Sequence, residues 1–228
     1  MKVYLKNIRH YFLTVDTNGE RKKHMIEEFK EYDITEVHPI FDENQFKSGA
    51  IGYSRMIDLA LRNQNRNEPF QPFILYEDDC SKYREYPEYI EVPDDSDFVY
   101  IGISKVSMNN STDHIASYFK NVNDEVVRIY NMLSSHGIMV CSASGALAIQ
   151  KALLECYCRE YPWDVYIAYI QPYYNVYALK IPLVYQDSRY GGLEEPTRFS
   201  FTSNVDKLIP KEYINTTIVS IISCSNIV

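Results

Sequence analysis

No run in this 228-residue chain is both long and apolar enough to span a bilayer. The longest apolar stretches, such as "GIMVCSASGALAI", are interrupted by polar residues, and the N-terminus lacks the apolar core of a signal peptide. The expectation is a soluble, cytoplasmic protein without a membrane span. A surplus of positive charge is missing too: the net charge is −8 and the pI about 5.2. Such a chain has no broad field to collect nucleic-acid phosphate, so an anion must be held locally, by a few Arg or Lys or through a metal. The five cysteines are odd in number and scattered, which suits a reducing compartment better than a disulfide framework. Cys156 and Cys158 lie on a helical stretch about 200° apart, so they do not chelate one zinc together. The five histidines show no chelating spacing, no Gly- and Lys-rich phosphate loop opens the chain, and no internal repeat is visible.

What is present is an ordinary globular composition, 46% hydrophobic and 24% charged, in a chain long enough to bury a core. "HYFLTVD" (10–16) reads as a buried strand, "RKKHMIEEFKEY" as a helix on Met25, Phe29 and Tyr32, and "ITEVHPI" as a strand. That β-α-β opening predicts a parallel pair. A second helix over "AIGYSRMIDLALRNQ" leads to the strand "FILYEDDC". Further strands are expected at "DFVYIGI", "VVRIYNM" and "GIMVCS", helices at "SGALAIQKALLECYCREY" and "WDVYIAYIQ", and an extended close at "YNVYALKIPLVYQDS". The polar stretch from Ser104 to Glu125 reads as a loop-rich excursion. The expected fold is α/β, a single domain over 1–210 with a mostly parallel central sheet flanked by helices, followed by a tail at 211–228 whose form, strand or linker, stays open.

"FILYEDDC" drives an apolar strand into the core and ends it on Glu77, Asp78 and Asp79. Strand alternation puts Glu77 and Asp79 on one side and Asp78 on the other. Two charges about 4 Å apart repel by about 4 kcal/mol at an effective dielectric near 20, and a divalent cation removes that strain. Hard ions, Mn²⁺ or Mg²⁺, suit such oxygens and leave coordination positions for water and phosphate. The C-terminal end of a strand in an open α/β sheet is also where ligands bind. The plainer reading is a solvated acidic loop capping the next element.

The order of motifs resembles the family 25 type of glycosyltransferase, the lipopolysaccharide and collagen galactosyltransferase group with a GT-A fold. "YFLTVDTNGERKKHM" is similar to that family's opening strand and Arg-bearing helix, "GAIGYSRMIDLAL" to its glycine-containing helix start, "FILYEDDC" to its Glu-Asp-Asp signature and "SGALAIQKALLE" to its small-residue strand-to-helix segment. "YPWDVYIAY" and "IPLVYQDS" stand where the family carries an Asp-bearing motif and a final Pro-to-Gln strand. One departure is plain: the family's Ser-His pair is here Ser54 and Arg55. Length and a Tyr-, Asn- and Ile-rich composition resemble compact glycosyltransferases of large DNA viruses such as chlorella viruses, which implies the cytoplasm of a host cell.

The resemblance implies transfer of a sugar from a nucleotide-sugar donor, UDP-linked or GDP-linked, to a hydroxyl of a glycan or glycoprotein acceptor, with inversion. Asp79 is then the direct Mn²⁺ or Mg²⁺ ligand. Glu77 binds the metal through water or holds the donor ribose, and Asp78 serves either role. The metal would neutralise the leaving diphosphate, in place of a basic patch. Asp164 in "PWDVY" matches the family's Asp and is the candidate general base, with Trp163 as an apolar wall for a sugar; an N-cap after Pro162 is the plainer use. Asp187 is the fallback base. Arg21 and Arg55 near helix starts are candidates for the donor phosphates, or surface ion pairs. Gly52 and Ser54 belong to the glycine segment, and Thr14 and Asp16 stand at the tip of the first strand, within reach of base or ribose or capping the turn.

Two other readings share these residues. A nucleotidyltransferase also uses acidic metal ligands on an α/β sheet but needs the missing phosphate loop. A non-catalytic carbohydrate-binding module on the same fold would need neither the acidic cluster nor a separate Asp164.

Overall fold

The computed structural model describes residues 1–15, 19–103 and 118–192. Its core is an eight-stranded sheet of β2 (Arg9–Leu13), β3 (Asp33–Val37), β4 (Phe73–Glu77), β7 (Phe98–Tyr100), β8 (Tyr118–Asn121), β9 (Val126–Tyr130), β10 (Gly137–Val140) and β11 (Val176–Leu179). They lie in the order β3-β2-β4-β10-β7-β11-β9-β8. The β-α-β opening is as expected: β2 runs parallel to both β3 and β4. The sheet as a whole is mixed, not mostly parallel. β10 inserts antiparallel between β4 and β7, and β9 pairs antiparallel with both β11 and β8, leaving β7 and β11 as the remaining parallel pair. Local pattern does not report this, because a strand buried on both faces reads the same in either direction.

Alternation along the strands sends side chains to two cores. On one face Tyr11, Phe73, Leu75, Ile138 and Val140 pack under α2 (Gln45–Arg62), α3 (Ala143–Arg159) and α4 (Trp163–Ile170). On the other, Phe12, Ile74, Tyr76 and Met139 pack under α1 (Glu20–Glu28), through Met25 and Phe29, and beside Val3 and Ile90 of a two-stranded ribbon, β1 (Lys2–Tyr4) with β6 (Tyr89–Glu91). Asn44 starts α2 by accepting from the amides of Phe46 and Lys47, and Ser142 starts α3 by accepting from Gly145. None of the described helices is long and apolar enough to cross a membrane.

A second ribbon shapes the site. β5 (Cys80–Lys82) pairs antiparallel with β12 (Val184–Gln186), so Gln186 lies opposite Cys80. Asp16, the Ser104–Ser117 part of the polar excursion and the tail from 211 lie outside the described residues.

Candidate active site

β4 ends at Glu77, and Asp78 and Asp79 form the turn into β5. Glu77 and Asp79 do lie together: the Gln186 Nε2 amide donates to Glu77 Oε2 at 3.0 Å and to Asp79 Oδ2 at 3.4 Å. Asp78 faces Arg21, whose Nη1 is 3.1 Å from Oδ1. The turn, not continued strand alternation, separates them.

The three carboxylates are supplied with donors very unequally. Glu77 Oε1 accepts from Ser135 Oγ and lies 3.2 Å from the Tyr53 hydroxyl, whose one proton it shares with the Ser135 carbonyl, and Gln186 contacts its other oxygen. Asp78 Oδ2 and Asp79 Oδ1 are buried and meet no hydrogen-bond donor among the described residues. Burial first, and then the charge of Asp79, pushes Glu77 up to about 8; burial and then Asp78 push Asp79 up to about 6. Two bare, buried oxygens on consecutive residues fit a hard divalent cation, which needs only one or two protein carboxylates when water and phosphate complete its shell. Asp78 and Asp79 would hold it. Among the described residues no group of three or more His, Cys, Asp or Glu side chains is placed to hold an ion by itself.

Asp164 stands in the first turn of α4 and is half-buried. Its Oδ1 accepts from the Val165 amide at 2.9 Å, burial raises its pKa, and its charge is felt at Glu77. It therefore shares the neighbourhood of the acidic turn. Trp163 is half-buried: a Cβ on Gly49 would lie 2.2 Å from its Cζ3, and its indole N–H donates to Ser135 Oγ at 2.9 Å. Gly52 likewise admits protein and not ligand, since a Cβ there would meet Leu13 Cδ1 at 2.3 Å. Both glycines set the close packing of α2.

Asp187, the alternative base, is fully engaged. Its carboxylate accepts from Ser81 Oγ at 2.7 Å, from the Tyr185 hydroxyl at 3.0 Å and from the amide and guanidinium of Arg189. Burial would raise its pKa, but the Arg189, Ser81 and Tyr185 hydrogen bonds outweigh it and hold the group below the usual carboxylate range. Its amide donates to the Asp79 carbonyl at 2.7 Å, so it anchors the turn. Thr14 is buried at the tip of β2; its amide donates to Val37 O and its carbonyl receives His38 Nδ1 at 3.1 Å. Ser54 is half-buried and Arg55 exposed on α2. It is their neighbour Tyr53 that reaches Glu77.

Tyr53, Ser135 and Gln186 are the residues that sequence reasoning did not single out. A signal for Ser135 existed: once β10 is paired antiparallel with β4, Gly137 faces Tyr76, and residues just before Gly137 must lie beside Glu77.

Among known proteins, no family model and no curated protein matches the chain. What fold and site define by themselves is a mixed α/β protein with a buried acidic turn at the C-terminal tip of a parallel strand.

Proposed function

We propose that the protein is a soluble, cytoplasmic, metal-dependent glycosyltransferase of GT-A type, moving a sugar from a nucleotide-sugar donor, UDP-linked, to a hydroxyl of a glycan or glycoprotein acceptor with inversion. The observation that carries this reading is the pair of buried oxygens, Asp78 Oδ2 and Asp79 Oδ1, that meet no donor among the described residues at the C-terminal tip of β4. Leaving such groups bare costs stability, and a chain retains them where an arriving cation completes them. The sequence resemblance in "FILYEDDC" supports the same assignment.

A bound divalent ion supplies neutralisation of the charge that develops on the departing diphosphate. The protein's own groups do the rest. Arg21 holds one oxygen of Asp78 and leaves the other free, while Gln186 keeps Glu77 and Asp79 side by side. Asp164 has Oδ1 occupied by the Val165 amide, so Oδ2 accepts the proton from the acceptor hydroxyl. The hydroxyl oxygen forms its bond to the anomeric carbon as the bond to the diphosphate breaks, without a covalent enzyme intermediate. The raised pKa of Asp164 makes it a stronger base than an ordinary aspartate.

Calorimetry of UDP with and without Mn²⁺, repeated on Asp79→Ala, tests the reading. Tight binding only in the unsubstituted protein with Mn²⁺ is expected; equal affinity in every arm would overturn it. Hydrolysis screening over a nucleotide-sugar panel with Mn²⁺ then identifies the donor.

A further inference from the structure

Residues 131–136, from Asn131 to His136, form an irregular segment that is buried throughout, an unusual place for backbone outside helix or sheet. It opens on Asn131 in the left-handed conformation, φ 57°. Gln171 secures it by accepting from the Met132 amide at 2.7 Å and donating to the Met132 carbonyl at 2.8 Å. Its end is fastened to the acidic turn, because the His136 carbonyl accepts from Cys80 Sγ and from the Glu77 amide. Between these fixings sits Ser135.

Ser135 touches three elements at once. Its carbonyl accepts from Tyr53 of α2 at 2.5 Å, its Oγ accepts from Trp163 Nε1 of α4 at 2.9 Å, and its hydroxyl proton goes to Glu77 Oε1 at the end of β4. With Glu77 ionised, the chain runs Trp163 N–H to Ser135 O–H to Glu77, since an indole nitrogen only donates and a carboxylate only accepts. Gly49 makes room for the indole, as a Cβ there would overlap it. Trp163 immediately precedes Asp164. We propose that Ser135 is a positioning residue that couples the acidic turn to the start of α4, so that a change at Glu77 is transmitted to the indole and to the orientation of Asp164. Its catalytic consequence rests on the glycosyltransferase reading; the coupling itself does not.

Trp163 is the single tryptophan in the chain, so one indole N–H resonance reports on this link without ambiguity. Glu77→Gln in the unsubstituted background is expected to shift that resonance, and the same change made on Ser135→Ala is expected to leave it in place. Equal shifts with and without the Ser135 hydroxyl would overturn the coupling, whether or not the protein turns over a nucleotide sugar. Ser135→Cys, which nearly keeps the volume, replaces Ser135→Ala in this cycle if the alanine variant does not fold. In turnover, Ser135→Ala should lower kcat about ten-fold with donor KM unchanged, through misorientation alone. Trp163→Phe should add little on top of Ser135→Ala, because both remove one bond. Full additivity of the two, or a change confined to thermal stability, would sink the positioning role. A null UDP titration with the indole coupling intact would remove the enzymatic reading and leave the coupling standing.

Discussion

Two buried aspartates joined by one backbone hydrogen bond, Asp187 N–H to Asp79 carbonyl, have opposite circumstances. Asp187 receives Ser81, Tyr185 and Arg189 and is held strongly ionised. Among the described residues Asp79 receives only the Gln186 side-chain amide, beside two further carboxylates, and its pKa rises. Donor supply, not burial, separates them, since both lie under 10% exposed. A carboxylate with a complete set of donors is part of the frame. One left incomplete beside others of its charge is strained in isolation, and that strain is what a cationic ligand would relieve.

The largest effect expected from that contrast is on turnover. Asp79→Ala should reduce sugar transfer about 10²- to 10³-fold, the scale for losing an electrostatic contact to developing charge, while Asp79→Asn should raise the melting temperature by removing repulsion. A melting temperature that falls in Asp79→Asn would break the comparison. At the anchor the sign reverses: Asp187→Ala should lower stability by about 2 kcal/mol, because buried donors from Ser81 and Tyr185 lose their acceptor. The Arg189 pairing adds little to this, its side chain being 68% exposed. Urea denaturation measures the loss, and an unchanged midpoint would contradict the anchor.

The pH dependence of stability offers a third test. Burial lowers His10 to about 4 and His136 to about 3. Their folded values are depressed, so their contribution is present above the unfolded value near 6.5 and is lost as pH falls below it. Glu77 is raised to about 8, so its contribution is present below the unfolded value near 4.5 and is lost as pH rises through 8. Between about 6.5 and 8 the histidines are level and Glu77 declines, giving a fall of up to about 1.4 kcal/mol per pH unit in metal-free buffer, to which the raised Asp79 and Asp164 add with the same sign. Thermal melts across this window should show the fall, and Mg²⁺ with UDP should flatten it. The smallest effect belongs to Arg21→Ala: its ion pair with Asp78 is partly exposed, so stability should change by less than about 1 kcal/mol. A larger loss on denaturation would make Arg21 part of the frame.

Much of the architecture was legible from short-range pattern. Met25 and Phe29 marked the inner face of α1, the run before Glu77 marked β4, and Trp163 and Asp164 marked the start of α4. The mixed order of the sheet was not, because Ile138 and Met139 satisfy a buried strand in either direction and nothing local says that β10 enters between β4 and β7. The ribbon β1 with β6 also escaped, each strand being three residues long, and so did the pairing of β5 with β12, although the stretch that holds β12 was read as extended. Gly49 and Gly52 were visible as glycines, but whether they admit a ligand or a side chain depended on where Trp163 and Leu13 arrive.

By itself the sequence determined that three consecutive acids follow the apolar strand β4 and so stand at its tip. Only the tertiary structure decided which of them are satisfied. Glu77 draws its donors from positions 53, 135 and 186, and Asp187 draws on Ser81 from 106 residues away. Hydrogen bonds act over about 3 Å, and partners so distant along the chain come within that range only when the sheet order, the β5–β12 ribbon and the seat of α4 are all in place.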